Sequence, residues 1–164
     1  MRLIELSKVS RNKLSKAGFK LDKDINEIQT YASVLGYFEY APLHYAAMTG
    51  DLNLITDLCT HGANINAEAP LHDETPLTWA AERGRAAAVN LLISFGADLD
   101  KTVSLRDASD KVVSSVPQGE YALQKAEKYK KPSCLWSFCQ KILLWRELDY
   151  KSTIQTIQKA KNKI

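Results

Sequence analysis

At 164 residues, with 45% hydrophobic and 25% charged side chains, the chain has the size and apolar content of one globular domain with its own core. No apolar run approaches the roughly 20 residues of a membrane-spanning helix, and residues 1–8 lack the uninterrupted apolar stretch of a secretory signal. The net charge of +3 hides a split: residues 41–124 hold 11 acids and 5 bases, whereas residues 125–164 hold 10 bases and 3 acids. In chain order, residues 1–20 carry six Lys/Arg and one Glu, which reads as a solvated helix face in preference to a transit peptide. Ile25, Ile28, Tyr31, Val34, Leu35 and Phe38 recur at helical intervals and predict an extra helix over 25–40.

From residue 41 the chain repeats itself. Pro42-Leu43-His44-Tyr45-Ala46-Ala47 returns 34 residues later as Pro76-Leu77-Thr78-Trp79-Ala80-Ala81, with Gly50 answering Gly84 and Gly62 answering Gly96. Pro42 and Pro76 suit the first turn of a helix, where the missing N–H costs nothing. Leu54, Ile55 and Leu58, then Ala88, Val89 and Leu92, mark second helices over 52–60 and 86–94. A period of this length marks a solenoid whose repeats cannot bury their apolar faces singly. Upstream, Ala17-Gly18-Phe19-Lys20-Leu21-Asp22 echoes the Gly62 stop, as half of a degenerate repeat would.

Downstream, Val103-Ser104-Leu105-Arg106 and Lys111-Val112-Val113-Ser114 flank a polar turn, which fits an enlarged β-hairpin better than a disordered insertion. Tyr121 to Ala126 reads as a decayed third repeat start, with Leu123 in the place of Leu77, and Pro132 to Trp145 would supply its second helix. Trp136 and Trp145 fit a terminal helix that seals the core. Residues 151–164 read as a marginal amphipathic helix or a frayed basic end.

The pattern T-P-L-H-x-A-A, then Gly, then G-A-D-x-N resembles the ankyrin repeat. It implies an all-α solenoid of helix-turn-helix repeats with hairpin fingers, forming one domain over 1–164. Its parts would be an N-terminal helical cap (1–40), a repeat (41–74), a repeat with the start of the enlarged hairpin (75–108), a degenerate repeat or cap (109–150) and a basic tail (151–164). Pro42, His44, Gly50, Gly62, Pro76, Thr78, Gly84 and Gly96 hold the structural positions of the motif. Ala41 stands where the motif has threonine and Thr78 where it has histidine, so fewer hydrogen bonds should tie the loops. Tyr45 and Trp79 would pack into the stack.

The resemblance also implies protein binding through finger tips and the concave face of the first helices. Carried onto this sequence, it points to Met48, Thr49, Glu82 and Arg83 after the Ala pairs, and to His61 and Phe95 before the stop glycines. In the finger it points to Leu71, His72, Asp73 and Glu74, beside Glu68 and Pro70. This finger is one residue longer than the pattern and lacks its turn glycine. Phosphate-loop, serine-hydrolase, zinc-protease and kinase motifs are all missing, so a non-catalytic module needing neither cofactor nor metal is expected. Cys59, Cys134 and Cys139 lack a C-x-x-C spacing and fit apolar filler in a reducing cytosol. A monomeric adaptor is the leading expectation. The alternatives are a nucleic-acid or anionic-membrane binder using the basic C-terminal region, and an effector acting on a host protein. The short, decayed array is similar in style to ankyrin proteins that intracellular bacteria deliver into host cytosol.

Overall fold

Ser7 opens the first helix, α1 (Lys8–Lys16), by accepting the Ser10 N–H on its side chain. A single 3-10 turn, Leu3–Glu5, precedes it, with Leu3 and Leu6 buried. The computed structural model describes residues 1–33, 36–70, 73–106, 111–130 and 150–162. Strands β1 (Gln29–Ser33) and β2 (Gly36–Tyr40) then pair antiparallel, Gln29 opposite Tyr40 and Ser33 opposite Gly36. This corrects the helix expected over 25–40. Thr30, Tyr31, Tyr37, Phe38 and Tyr40 favour a pleated strand, and their density outweighs a chance helical spacing.

Next come helix α2 (Pro42–Thr49), α3 (Leu52–Thr60), α4 (Pro76–Glu82) and α5 (Ala86–Ser94), the two helix pairs anticipated from the repeat. Within each pair a short connection, two residues between α2 and α3 and three between α4 and α5, turns the chain back on itself. Asp51 caps α3 by accepting the Leu54 N–H, and Thr75 and Thr78 form a reciprocal capping box on α4. Gly50 sits at φ 76°, and a Cβ there would lie 2.9 Å from Cδ of Arg85, so a bare backbone is required twice over. The outer helices stop alike: Phe19, Ala63 and Ala97 each donate to the carbonyl of Leu14, Leu58 and Leu92 at 3.0 Å. The echo read at Gly18 is therefore a true repeat stop.

Strand β3 (Thr102–Arg106) pairs with β4 (Val112–Pro117), forming the expected enlarged hairpin, and leads into α6 (Gln118–Lys130). The start of α6 is anchored by Gly119 N–H on the Leu99 carbonyl at 2.8 Å. Ala122 and Ala126 are sealed, whereas Leu123, cast as the counterpart of Leu77, is only partly buried. Helix α7 (Tyr150–Lys161) buries Thr153, Ile154 and Ile157 against α5 and α6. The residues read as a tail are thus a packed helix, because that i, i+1, i+4 stripe is apolar enough to dock.

The helices form two layers. The inner one runs α2, α4, α6; the outer one runs α1, α3, α5, α7. Between them lies a core of Leu43, Leu54, Ile55, Leu58, Leu77, Val89 and Leu92, each at most 1% exposed and each contributing about 1.5–3 kcal/mol by burial. The second helix expected from Pro132 to Trp145, with Trp136, Cys134 and Cys139, lies outside the described residues.

Candidate partner-binding surface

The inner helices share one periodic surface. Tyr45 on α2, Trp79 on α4 and Tyr121 on α6 are each half-buried. One turn further along stand Met48 and Thr49, Glu82 and Arg83, and Lys125, on the same faces by i, i+3 and i, i+4 spacing. The aromatic rings are coupled. Phe19 packs edge-on to Tyr40 (5.9 Å) and Tyr45 (5.7 Å), Tyr40 reaches Trp79 (5.1 Å), and Trp79 reaches His44 (5.2 Å). Tyr45 and Trp79 therefore pack into the stack as expected, while staying only partly buried.

Glu74 behaves differently from the expectation for a finger tip. Its carboxylate accepts from Trp79 Nε1 (3.0 Å) and Tyr121 Oη (2.9 Å) and pairs with Lys125 Nζ at 2.8 Å, leaving the side chain 13% exposed. Lys125 also meets Glu82 at 3.0 Å and lies 5.2 Å from the Tyr121 ring. Glu74 is thus withdrawn from the partner-contact set, and Glu82 is partly committed, because a lysine from the next repeat turns both inward. Burial opposes the charge on Lys125, but hydrogen bonding and attraction from Glu74, then Glu82, outweigh it and raise its pKa. Burial, and then the Glu74 carboxylate, push Tyr121 up to about 12. The sequence reading missed this network, since its members stand up to 51 residues apart.

His44 is fully buried, and its Nε2 donates to the Glu74 carbonyl at 3.0 Å, tying α2 to the base of the next finger. Burial lowers its pKa from 6.5 to about 4, so it is neutral at pH 7. Thr78, at the same place in the next repeat, spends its hydroxyl on its own cap by donating to the Thr75 carbonyl at 2.8 Å. The expected loss of a loop tie is visible there.

The remaining predicted residues divide into two groups. Met48, Thr49, Glu82 and Arg83 lie at the C-terminal ends of inner helices, and Arg83 is exposed. His61 and Phe95 cap the outer helices α3 and α5 at the opposite end. His61 bonds the Asp57 carbonyl at 2.7 Å and its carboxylate at 3.1 Å; Phe95 is 37% exposed. Asp73 sits at the finger with φ 51°, the left-handed conformation that the absent turn glycine would have taken without strain. Leu71 and His72 lie outside the described residues. Cys59 is half-buried, its thiol pushed up to about 11 by burial, which suits filler and not a nucleophile. No described helix is long and apolar enough to cross a membrane.

Comparison with known proteins agrees with this architecture. The family described as ankyrin repeats (3 copies) matches residues 10–103, so its first copy starts inside α1. A fowlpox virus ankyrin repeat protein, FPV244, is 38% identical over 85 residues, which is 51% of this chain and 12% of that protein. The chain thus aligns with only about an eighth of the length of this relative. Ankyrin repeats generally mediate protein–protein interaction. With three repeat stops, two layers of paired helices, hairpin fingers and a family match across more than half of its length, the chain belongs to the ankyrin-repeat family.

Proposed function

We propose that the chain is a non-catalytic recognition module whose inner face binds a partner protein. The observation that carries this is the strip of half-buried aromatic side chains, Tyr45, Trp79 and Tyr121, continued by Met48, Thr49 and Arg83 on three successive inner helices. Aromatic rings held by neighbours and left partly exposed bind at low entropic cost and dominate the energetics of interfaces. A free-standing adaptor and an effector directed at a host protein would use the same strip.

Basic-tail binding to nucleic acid or anionic lipid has less support. Lys125 and Lys161 are both engaged within the molecule, by Glu74 and Glu82 and by Glu120. The test is affinity capture from eukaryotic cytosol with the intact chain and a Tyr45→Ala, Met48→Ala, Arg83→Ala variant. A protein retained at raised salt by the former and lost by the latter supports the inner face. Equal recovery, or binding that vanishes with salt alone, overturns it.

A further inference from the structure

The basic start of the chain folds into a surface that the inner-face strip does not use. Of the six Lys and Arg in residues 1–20, Lys13 is spent on Asp51. Among the described residues, Arg2, Lys8, Arg11, Lys16 and Lys20 meet no carboxylate. On α1, Ser10 and Leu14 are buried, while Lys8, Val9, Asn12, Ser15 and Lys16 are exposed on the side away from them. Arg11 flanks that side and donates from Nη1 to the Ile4 carbonyl at 2.8 Å, which holds the turn before α1 alongside. Ile4 is 52% exposed, and Val9, at 63%, is the most exposed large apolar side chain among the described residues. Five unpaired cations less Glu5, the one acid in this stretch, leave an excess of four positive charges.

Fold stability does not account for this arrangement. A cation in the first turn of a helix opposes the macrodipole, yet α1 begins with Lys8 and has no acid in its first turn. An exposed Val on a helix neither packs nor favours the helix. The chemistry of the face then separates its possible occupants. A second copy of the chain would bring like charges together. A single strand of nucleic acid binds by stacking on aromatic rings, and residues 1–18 hold none. A duplex would engage the cations and leave Ile4 and Val9 in water. An extended peptide needs a groove, whereas α1 ends the outer layer against α3 and offers one open helix face. A bilayer bearing anionic lipids is broad and negative. It takes up aliphatic side chains between its headgroups while lysine stems reach back to the charged surface.

We propose that α1 and the turn before it dock on an anionic lipid bilayer. Ile4 and Val9 enter between the headgroups, Lys8, Arg11 and Lys16 lie against the lipid anions, and Arg2 and Lys20 add to the local positive field. Each cation held at such a surface strengthens binding about fivefold. Docking uses the outer layer of helices, which leaves the inner layer, with Tyr45, Met48 and Arg83, to a protein partner.

The test is flotation of the intact chain with vesicles of phosphatidylcholine, and with vesicles of an equimolar mixture with phosphatidylserine. The chain should float with the mixed vesicles and not with phosphatidylcholine alone. Lys8→Ser combined with Lys16→Ser should weaken that binding about 25-fold. Val9→Ser should weaken it severalfold at unchanged charge, which separates insertion from attraction alone. Lys151→Ser combined with Lys159→Ser, on the exposed side of α7, should leave it unchanged. All five side chains are exposed, and circular dichroism should find every variant folded. No flotation with the mixed vesicles, equal flotation with both lipids, or full binding by the Lys8, Lys16 variant overturns the proposal. Loss in the α7 variant overturns it too, by moving the surface to the C-terminal helix. A DNA duplex of mixed sequence that binds more tightly than the vesicles, with Val9→Ser indifferent, makes a phosphate backbone the occupant and likewise overturns it.

Discussion

Between pH 7 and 5 carboxylates stay largely ionised while an unfolded chain's histidines take up protons, and in that window the burial of His44 acts on stability. In the folded stack its ring is sealed between the Trp79 ring and the Glu74 carbonyl, and burial holds its pKa near 4 against 6.5 in the unfolded chain. The sign follows from proton binding. Between these values the unfolded chain binds the proton and the folded one does not, so the stabilisation is present above pH 6.5 and is lost as the pH falls toward 4. The loss comes to about 2 kcal/mol by pH 5 and about 3 kcal/mol once the pH is below both values. Against a total stability of about 5–15 kcal/mol for a domain, this is readily measured.

Urea unfolding at pH 7, 6, 5.5 and 5 should show that decline in the native chain. The comparison is His44→Gln, which keeps an amide donor for the Glu74 carbonyl and cannot titrate. Its stability at pH 7 should be lower, and its decline across the window smaller by that amount. Equal declines in both proteins would place the acid sensitivity elsewhere, and a flat native profile would refute the depressed histidine altogether. Nuclear magnetic resonance supplies a second readout: the His44 ring protons should hold their shifts down to pH 5.

Other substitutions probe the remaining ties. Lys125→Met removes the cation that bridges Glu74 and Glu82, and should cost about 2–4 kcal/mol in urea unfolding, more than Glu82→Gln. Gly50→Ala should destabilise by about 1–2 kcal/mol from its positive φ alone. The added clash with Arg85 should make it worse than Gly62→Ala, which meets nothing within 4 Å, and Arg85→Ala should recover the difference. Ile157→Ala should cost about 2–4 kcal/mol if α7 is an integral outer helix; a negligible change in thermal midpoint would return residues 150–161 to the status of a tail.

What the sequence revealed follows how local the underlying physics is. The repeats over 41–100 were legible because Pro at a first turn, small Ala pairs between helices and a stop glycine act within a few residues and recur 34 apart. The spacing from Gly18 to Gly62 is 44, stretched by the β1–β2 hairpin, so the first stop showed only as an echo. A helical interval among Ile25, Ile28 and Phe38 competed there with strand propensity, and pairing across the hairpin decided it. In the third repeat the hairpin again displaced the period, and no local signal tells which apolar stripe covers α5.

The site was less legible for a related reason. Met48, Thr49 and Arg83 follow from their register after the Ala pairs, and the structure puts them along the inner face. Tyr45 and Trp79 posed a choice between core and surface that a helix edge does not require. Each ring packs on a neighbouring ring and is still only partly buried. Glu74 shows the converse. Its position beside a finger turn promised exposure, yet Tyr121 and Lys125, brought over by the packing of α6 on α4, close around it. Surface chemistry in a solenoid is therefore set by the neighbouring repeat as much as by a residue's own.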